Sequence, residues 1–211
     1  MHTLDAIMSR RSIKQYDPAF IMPEADIDQL FHCMLQAPTS FNLQHWRFVQ
    51  VEDLQLRAEM RKAAGNQAQV TDASLLLVLC ADTQAWQRTP EYCWRHAPTD
   101  TRDLMLAMIH CFYSEQHQLQ RDEAIRSVGI VAQTAMLAAK AMGYDSCPMI
   151  GFDTPRIAEL IQLPDDHVIG MMLTIGKANK PAWPKPGQHS LESVRVQDRF
   201  NHSFGKPIDG R

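Results

Sequence analysis

Residues 122–142 read DEAIRSVGIVAQTAMLAAKAM, and this stretch decides the fold. From Val128 onward it is apolar on nearly every side, and no proline breaks it, so it reads as a helix buried in a core. Gln133, Thr134 and Lys140 interrupt the apolar run, which argues against a membrane span. Gly143 follows as the terminating residue. Outward from this helix the pattern shortens. Residues 74–80 (SLLLVLC) and 168–175 (VIGMMLTI) are continuous apolar runs of strand length, as expected of strands covered on both faces. Residues 46–51 read as a further strand.

The flanking elements are helical. Leu4, Ile7 and Met8 suggest a short first helix, and residues 10–16 an extended segment. Pro23 suits the first turn of a second helix, with Ile27, Leu30, Phe31 and Met34 on its apolar face and an end before Pro38. Asp53 caps a helix to about Ala64, closed by Gly65. Thr154-Pro155 opens another as cap and first-turn proline. Residues 84–120 read as helical pieces punctuated by Pro90 and Pro98, and residues 143–153 as a connection. After Pro181, Pro184 and Pro186 comes a polar tail to Arg211 that would need a partner surface to stay ordered. Strands are few and do not alternate regularly with helices, which predicts an α+β fold. No G-x-G-x-x-G follows a strand, so a Rossmann dinucleotide site is unsupported.

Composition sets outer limits. The 211 residues are 45% hydrophobic and 21% charged, with 21 basic against 24 acidic side chains for a net charge of −3. That is the balance of a globular chain of one domain, 1–211, with no bias towards nucleic acid. Residues 1–9 lack a basic and then apolar leader pattern, and the five cysteines are irregularly spaced. Both suggest reduced thiols and a cytoplasmic location.

Four segments carry chemistry. In the first, Arg10-Arg11-Ser12-Ile13-Lys14, an extended chain turns Arg10, Ser12 and Lys14 to one face. This row of donors suits a ligand with a phosphate at one end and a polar ring at the other. Residues 37–46 (APTSFNLQHW) concentrate hydroxyl and amide groups ahead of a strand, and residues 66–69 (NQAQ) do so ahead of the next. Residues 143–153 (GYDSCPMIGFD) leave the long helix past small residues, with Gly151 permitting close approach of a ligand. Alone, each reads more readily as a solvated segment or an ordinary loop.

Taken together and in order, they resemble the nitroreductase family of flavoproteins, as does the I-G-K-A end of the last strand. The resemblance covers most of residues 1–195 and is closest to small bacterial members with Q-H-W in place of Q-P-W. It implies a mixed, mostly antiparallel sheet flanked by helices in an intertwined homodimer, with the tail from about 187 to 211 packing on the partner. It implies FMN as cofactor and NADH or NADPH as electron donor. Arg10, Arg11 and Ser12 would serve the phosphate and ribityl end of FMN, and Lys14 the N1–O2 edge of the ring. A fixed cation there stabilises the negative charge left on that edge by reduction. Pro38, Thr39, Ser40, Asn42 and Gln44 would reach the same flavin from the other subunit. Asn66 and Gln69 would touch the ring or ribityl chain. Met149, Ile150 and Gly151 would present backbone to it, the Ile150 N–H towards N5. Residues 90–118 would cover the pocket, with Trp94, Phe112 and Tyr113 as candidates to lie over the ring.

Two departures stand out. Ile150 occupies a position often held by Glu, and Gln188 one usually held by a phosphate-binding Arg, so that Lys185 or His189 would have to substitute. The electrophile to be reduced is unreadable; nitroaromatics, quinones and enones all suit such a site. Two other readings compete. One is a non-catalytic flavin-binding or regulatory protein. The other is a zinc site from Cys93, His96, His110 and Cys111, which are zinc-ligand types but match no standard spacing. No G-x-S-x-G or cysteine-nucleophile setting supports a hydrolase.

Overall fold

The computed structural model describes residues 1–200, so the last part of the expected partner-bound tail, 201–211, lies outside the described residues. In chain order the elements are α1 (Thr3–Ser9), α2 (Glu24–Met34), β1 (Trp46–Gln50), α3 (Leu54–Ala63), α4 (Gln69–Asp72), β2 (Leu75–Asp82), α5 (Ala85–Arg88), α6 (Pro90–Cys93), α7 (Thr99–Tyr113), α8 (His117–Ala141), β3 (Asp145–Met149), α9 (Thr154–Leu160), β4 (His167–Gly176) and α10 (Leu191–Val194). The strands form one sheet in the order β1-β2-β4-β3, every neighbouring pair antiparallel. Its mixed character is confined to an isolated parallel bridge between Ser12 and Ser146.

Both faces of the sheet are covered, which is why β2 is apolar throughout and buried at every position. Leu75, Leu77 and Leu79 face a core shared with α2 and α8, where Leu30, Met34, Val128 and Ala135 are buried. Leu76, Val78 and Cys80 face the opposite core with Met60 of α3 and Ile157 of α9. Truncating any of these leucines to alanine would cost about 2–5 kcal/mol. The long helix begins at His117, five residues before the 122 start read from sequence, and only one of its sides enters the core; Ile130 stays exposed. Gly170 lets it lie close on the sheet, because a Cβ there would sit 2.4 Å from Val128 Cγ1. Gly143, at φ +85°, then turns the chain out of the helix.

Three local expectations change. Residues 145–149 are an edge strand, not part of a connection; Pro148 is tolerated there because the β3 ladder runs with β4 alone and the other edge carries only the isolated Ser12–Ser146 bridge. Asp153, not Thr154, caps α9, its carboxylate accepting the Arg156 N–H at 3.0 Å. Pro23 stands at the cap of α2, one residue ahead of its first turn.

Candidate functional site

Residues 10–16 run along the outer edge of β3. Ile13 N–H donates to Ser146 O at 3.0 Å, and the buried Ile13 and Tyr16 side chains anchor the segment. Tyr16 OH donates to Thr174 O at 3.0 Å; burial pushes its ionisation far above the ordinary tyrosine range, so it stays a neutral donor. With Ile13 turned inward, Ser12 and Lys14 are left exposed on the other side. Arg11 folds back onto the carbonyls of Met8 and Arg10. Arg10 differs: its Nη1 is buried and has no hydrogen-bond partner among the described residues. An unpaired buried donor of a charged group is costly, and no described residue supplies its partner.

Beside it lies a cavity of about 560 Å³ lined by Arg10, Ser12, Lys14, Lys180, Trp183 and Lys185, among others. The far wall is a strap the sequence reading missed. Ala178 bridges Tyr16, and Asn179 N–H donates to Gln15 O at 3.2 Å, so the chain leaving β4 runs back past residues 10–16. The Pro181-Pro184-Pro186 spacing was the available signal, since it forces an extended chain and leaves Lys180 and Lys185 as side-chain donors. Lys14 Nζ lies 6.0 Å from the Trp183 ring. Lys185, one of the two suggested replacements for the usual Arg, lines this cavity; Gln188 and His189 do not. Burial pushes the Cys147 thiol up, although Lys14, Ser12 and Arg10 beside it act in the opposite direction.

Two more segments join here. Ala68 lines the same cavity. Gln67 Nε2 donates to Gly151 O at 3.2 Å and to Ala64 O at 3.0 Å, tying residues 66–69 to the end of β3. Gln69 is buried and donates to Gln67 Oε1, while Asn66 is exposed at φ +57°. Met149 is a core side chain and can offer only backbone, whereas Ile150 is 76% exposed.

The remaining segment does not join them. Residues 38–44 lead into β1, at the opposite edge of the sheet from β3. Phe41, Asn42 and Gln44 all have positive φ, at 50°, 55° and 51°. Asparagine tolerates this region; for the other two the cost is about 1–3 kcal/mol each. Trp94, Phe112 and Tyr113 gather on this loop rather than at the cavity: Trp94 Nε1 donates to Phe41 O at 2.9 Å, Phe112 packs on the Phe41 ring, and Tyr113 is buried with its OH on Ser40 Oγ at 2.9 Å.

Cys93, His96, His110 and Cys111 do not converge. Among the described residues the one close group of metal-ligand types is Asp82, Asp166 and His167. Its buried carboxylate, Asp82, is already paired with Arg88 at 2.7 Å and Arg47 at 3.2 Å. His110 instead lies edge-on to Trp86, so these four side chains form no common ligand set.

DrgA of Synechocystis is 50% identical over 193 residues, 92% of this chain and 90% of its own. MhqN of Bacillus subtilis, assigned as an NAD(P)H nitroreductase, is 32% identical over 81% of this chain and 86% of its own. A chain from Exiguobacterium sibiricum, assigned as a nitroreductase and solved in complex with FMN, superposes with a TM-score of 0.87 at 27% identity, covering 93% of this chain and 97% of that one. The Nitroreductase family model matches residues 7–177, a span that takes in all four segments and the whole sheet, and the chain therefore belongs to the nitroreductase family.

Proposed function

We propose that the chain is an FMN-dependent oxidoreductase that takes electrons from NADH or NADPH and reduces a small electrophile, a nitroaromatic, quinone or enone. The observation that carries this reading is Arg10 Nη1, buried, without a hydrogen-bond partner among the described residues, on a side chain that lines a cavity with Lys14, Lys180 and Lys185. That donor set fits a phosphate at one end and an anionic ring edge at the other. Bound FMN would supply the hydride-accepting and electron-donating chemistry. Arg10, Arg11 and Ser12 would hold its phosphate and ribityl chain, and Lys14 would stabilise negative charge at the N1–O2 edge. Asn66 and Gln69 would steady the ring, with residues 149–151 offering backbone. Donor and electrophile would occupy the same pocket in turn, a ping-pong order.

The site would be completed by a second copy. Pro38, Thr39, Ser40, Asn42 and Gln44 sit at the opposite sheet edge from Arg10, so in this reading they serve the partner's cavity and the protein is a homodimer. Exposed apolar side chains support a covered face: Leu4 and Met8 on α1, Leu104 and Met108 on α7, and Ile130 on α8. No helix among the described residues is long and apolar enough to cross a membrane.

The test is the visible absorbance spectrum of the purified protein before and after anaerobic NADH or NADPH. A flavin spectrum that bleaches, with FMN released on denaturation, is the expected result. A flavin bleached by neither nicotinamide would favour the binding or regulatory role, and a colourless protein that takes up no added FMN would overturn the proposal.

A further inference from the structure

The 39–44 loop carries three left-handed non-glycine residues within four positions, and a backbone of that shape persists only when its surroundings hold it. Hydrogen bonds within the loop contribute, among them Thr39 Oγ1 accepting the Gln44 N–H at 2.9 Å. Three more tie it to the end of α6 and the C-terminal end of α7. Trp94 Nε1 donates to Phe41 O at 2.9 Å, Asn42 Nδ2 donates to Cys93 O at 3.2 Å, and Tyr113 OH donates to Ser40 Oγ at 2.9 Å. Tyr113 is fully buried, and its carbonyl accepts from the buried Gln120 Nε2 at 2.7 Å. Leu43, from the loop, packs into the same apolar cluster as Ile109 and Tyr113.

We infer that Trp94 and Tyr113 are positioning residues that clamp the 39–44 backbone in its left-handed shape, and that this clamp sets how tightly the loop engages FMN. The inference rests on the reading that this loop contacts the cofactor of the second copy. A loop held in its binding shape beforehand loses less freedom on engagement, so loosening it lowers affinity without removing any atom that touches the ligand. The α6–α7 segment then acts as a brace behind the loop, with Trp94 and Tyr113 as its polar contact points.

The experiment uses full-length protein stripped of flavin. Tyr113→Phe and Trp94→Phe each delete one hydrogen bond and keep an aromatic ring; Ile109→Val loosens the same cluster but makes no hydrogen bond to the loop. FMN dissociation constants, hydrogen exchange of residues 38–45 and thermal midpoints are measured for all. Each aromatic variant is expected to speed exchange in 38–45 and weaken FMN about tenfold, close to 1.4 kcal/mol. Ile109→Val is expected to lower the midpoint while FMN affinity stays within about twofold. Equal FMN affinity in wild type and both aromatic variants would overturn the inference, as would losses of affinity that follow the midpoints across all three. A wild type that takes up no FMN is a failure of the functional reading, visible before any variant is made, and it takes the inference with it.

Discussion

Ser127 Oγ lies 3.0 Å from His45 Nδ1, and both side chains are buried where the start of β1 meets α8. Burial holds the imidazole down at about 4, outweighing the attraction of Glu123 and Asp82. The histidine is therefore neutral in the folded protein at pH 7. Between its ordinary value near 6.5 and about 4, the unfolded chain binds a proton that the folded chain refuses. Stability is thus fully present above pH 6.5 and falls as pH drops towards 4, by up to about 3 kcal/mol. Urea unfolding from pH 7 to pH 4 should show this loss, and His45→Asn should remove that part of the slope. An unchanged slope in the variant would mean that other groups carry the acid sensitivity.

A second prediction concerns the seat of α8 on the sheet. A Cβ at position 170 would also lie 2.8 Å from Val128 Cβ, an atom fixed to the helix backbone that cannot swing away. Gly170→Ala is expected to destabilise by about 1–3 kcal/mol through overpacking. Adding Val128→Ala should recover part of the loss, so that the double variant is less destabilised than the sum of the singles. Strict additivity in chemical denaturation would show that the helix does not approach the sheet at this point.

These two contacts mark what the sequence could and could not reveal. The α8 helix and strands β2 and β4 were legible because each is a run so rich in apolar residues that composition alone separates it from a loop. The β3 strand was not, because Asp145, Ser146 and Pro148 carry no strand pattern and its identity comes from pairing with β4. The site was legible in pieces. Arg10, Ser12 and Lys14 share a face by simple alternation. That residues 38–44 stand at the other edge of the sheet depends on strand order, a non-local property, as does the return of the 178–186 strap. Trp94 and Tyr113 were singled out as aromatic residues; that their polar atoms bond to Phe41 O and Ser40 Oγ is a non-local contact that no spacing could show.

The strap leads to a third prediction. Lys185 lines the cavity where Gln188, the residue expected from sequence to stand in place of a phosphate-binding arginine, does not. Lys185→Ala is expected to weaken FMN about tenfold and to leave riboflavin, which has no phosphate, unaffected. Parallel titrations with the two flavins decide it; an equal loss for both would place Lys185 away from the phosphate.

Lys14→Ala addresses the other end. Removing a cation that would stabilise charge at the ring edge should slow anaerobic reduction by NAD(P)H more than it weakens FMN binding. Stopped-flow reduction of fully loaded protein reads the rate directly. Unchanged rates would remove Lys14 from that role.

The last prediction follows from the separation of the two half-sites. Ser12 lies on the β3 edge and Asn42 ahead of the β1 edge, so a chain damaged at one keeps the other intact. If the site forms between copies, each homodimer of Ser12→Ala or Asn42→Ala has damage in both of its sites. A mixed dimer differs: one of its sites collects both lesions and the other collects neither. Random exchange should then return up to about a quarter of the sites to wild-type affinity, as the two-fold symmetry of a dimer requires. The measurement is FMN titration of the two variants, separately and after subunit exchange, with exchange followed by mass spectrometry of differently labelled chains. A tight-binding fraction that grows with the mixed species supports the shared site. Confirmed exchange with no such fraction would mean that each chain binds FMN alone, and the 38–44 loop would then need another role.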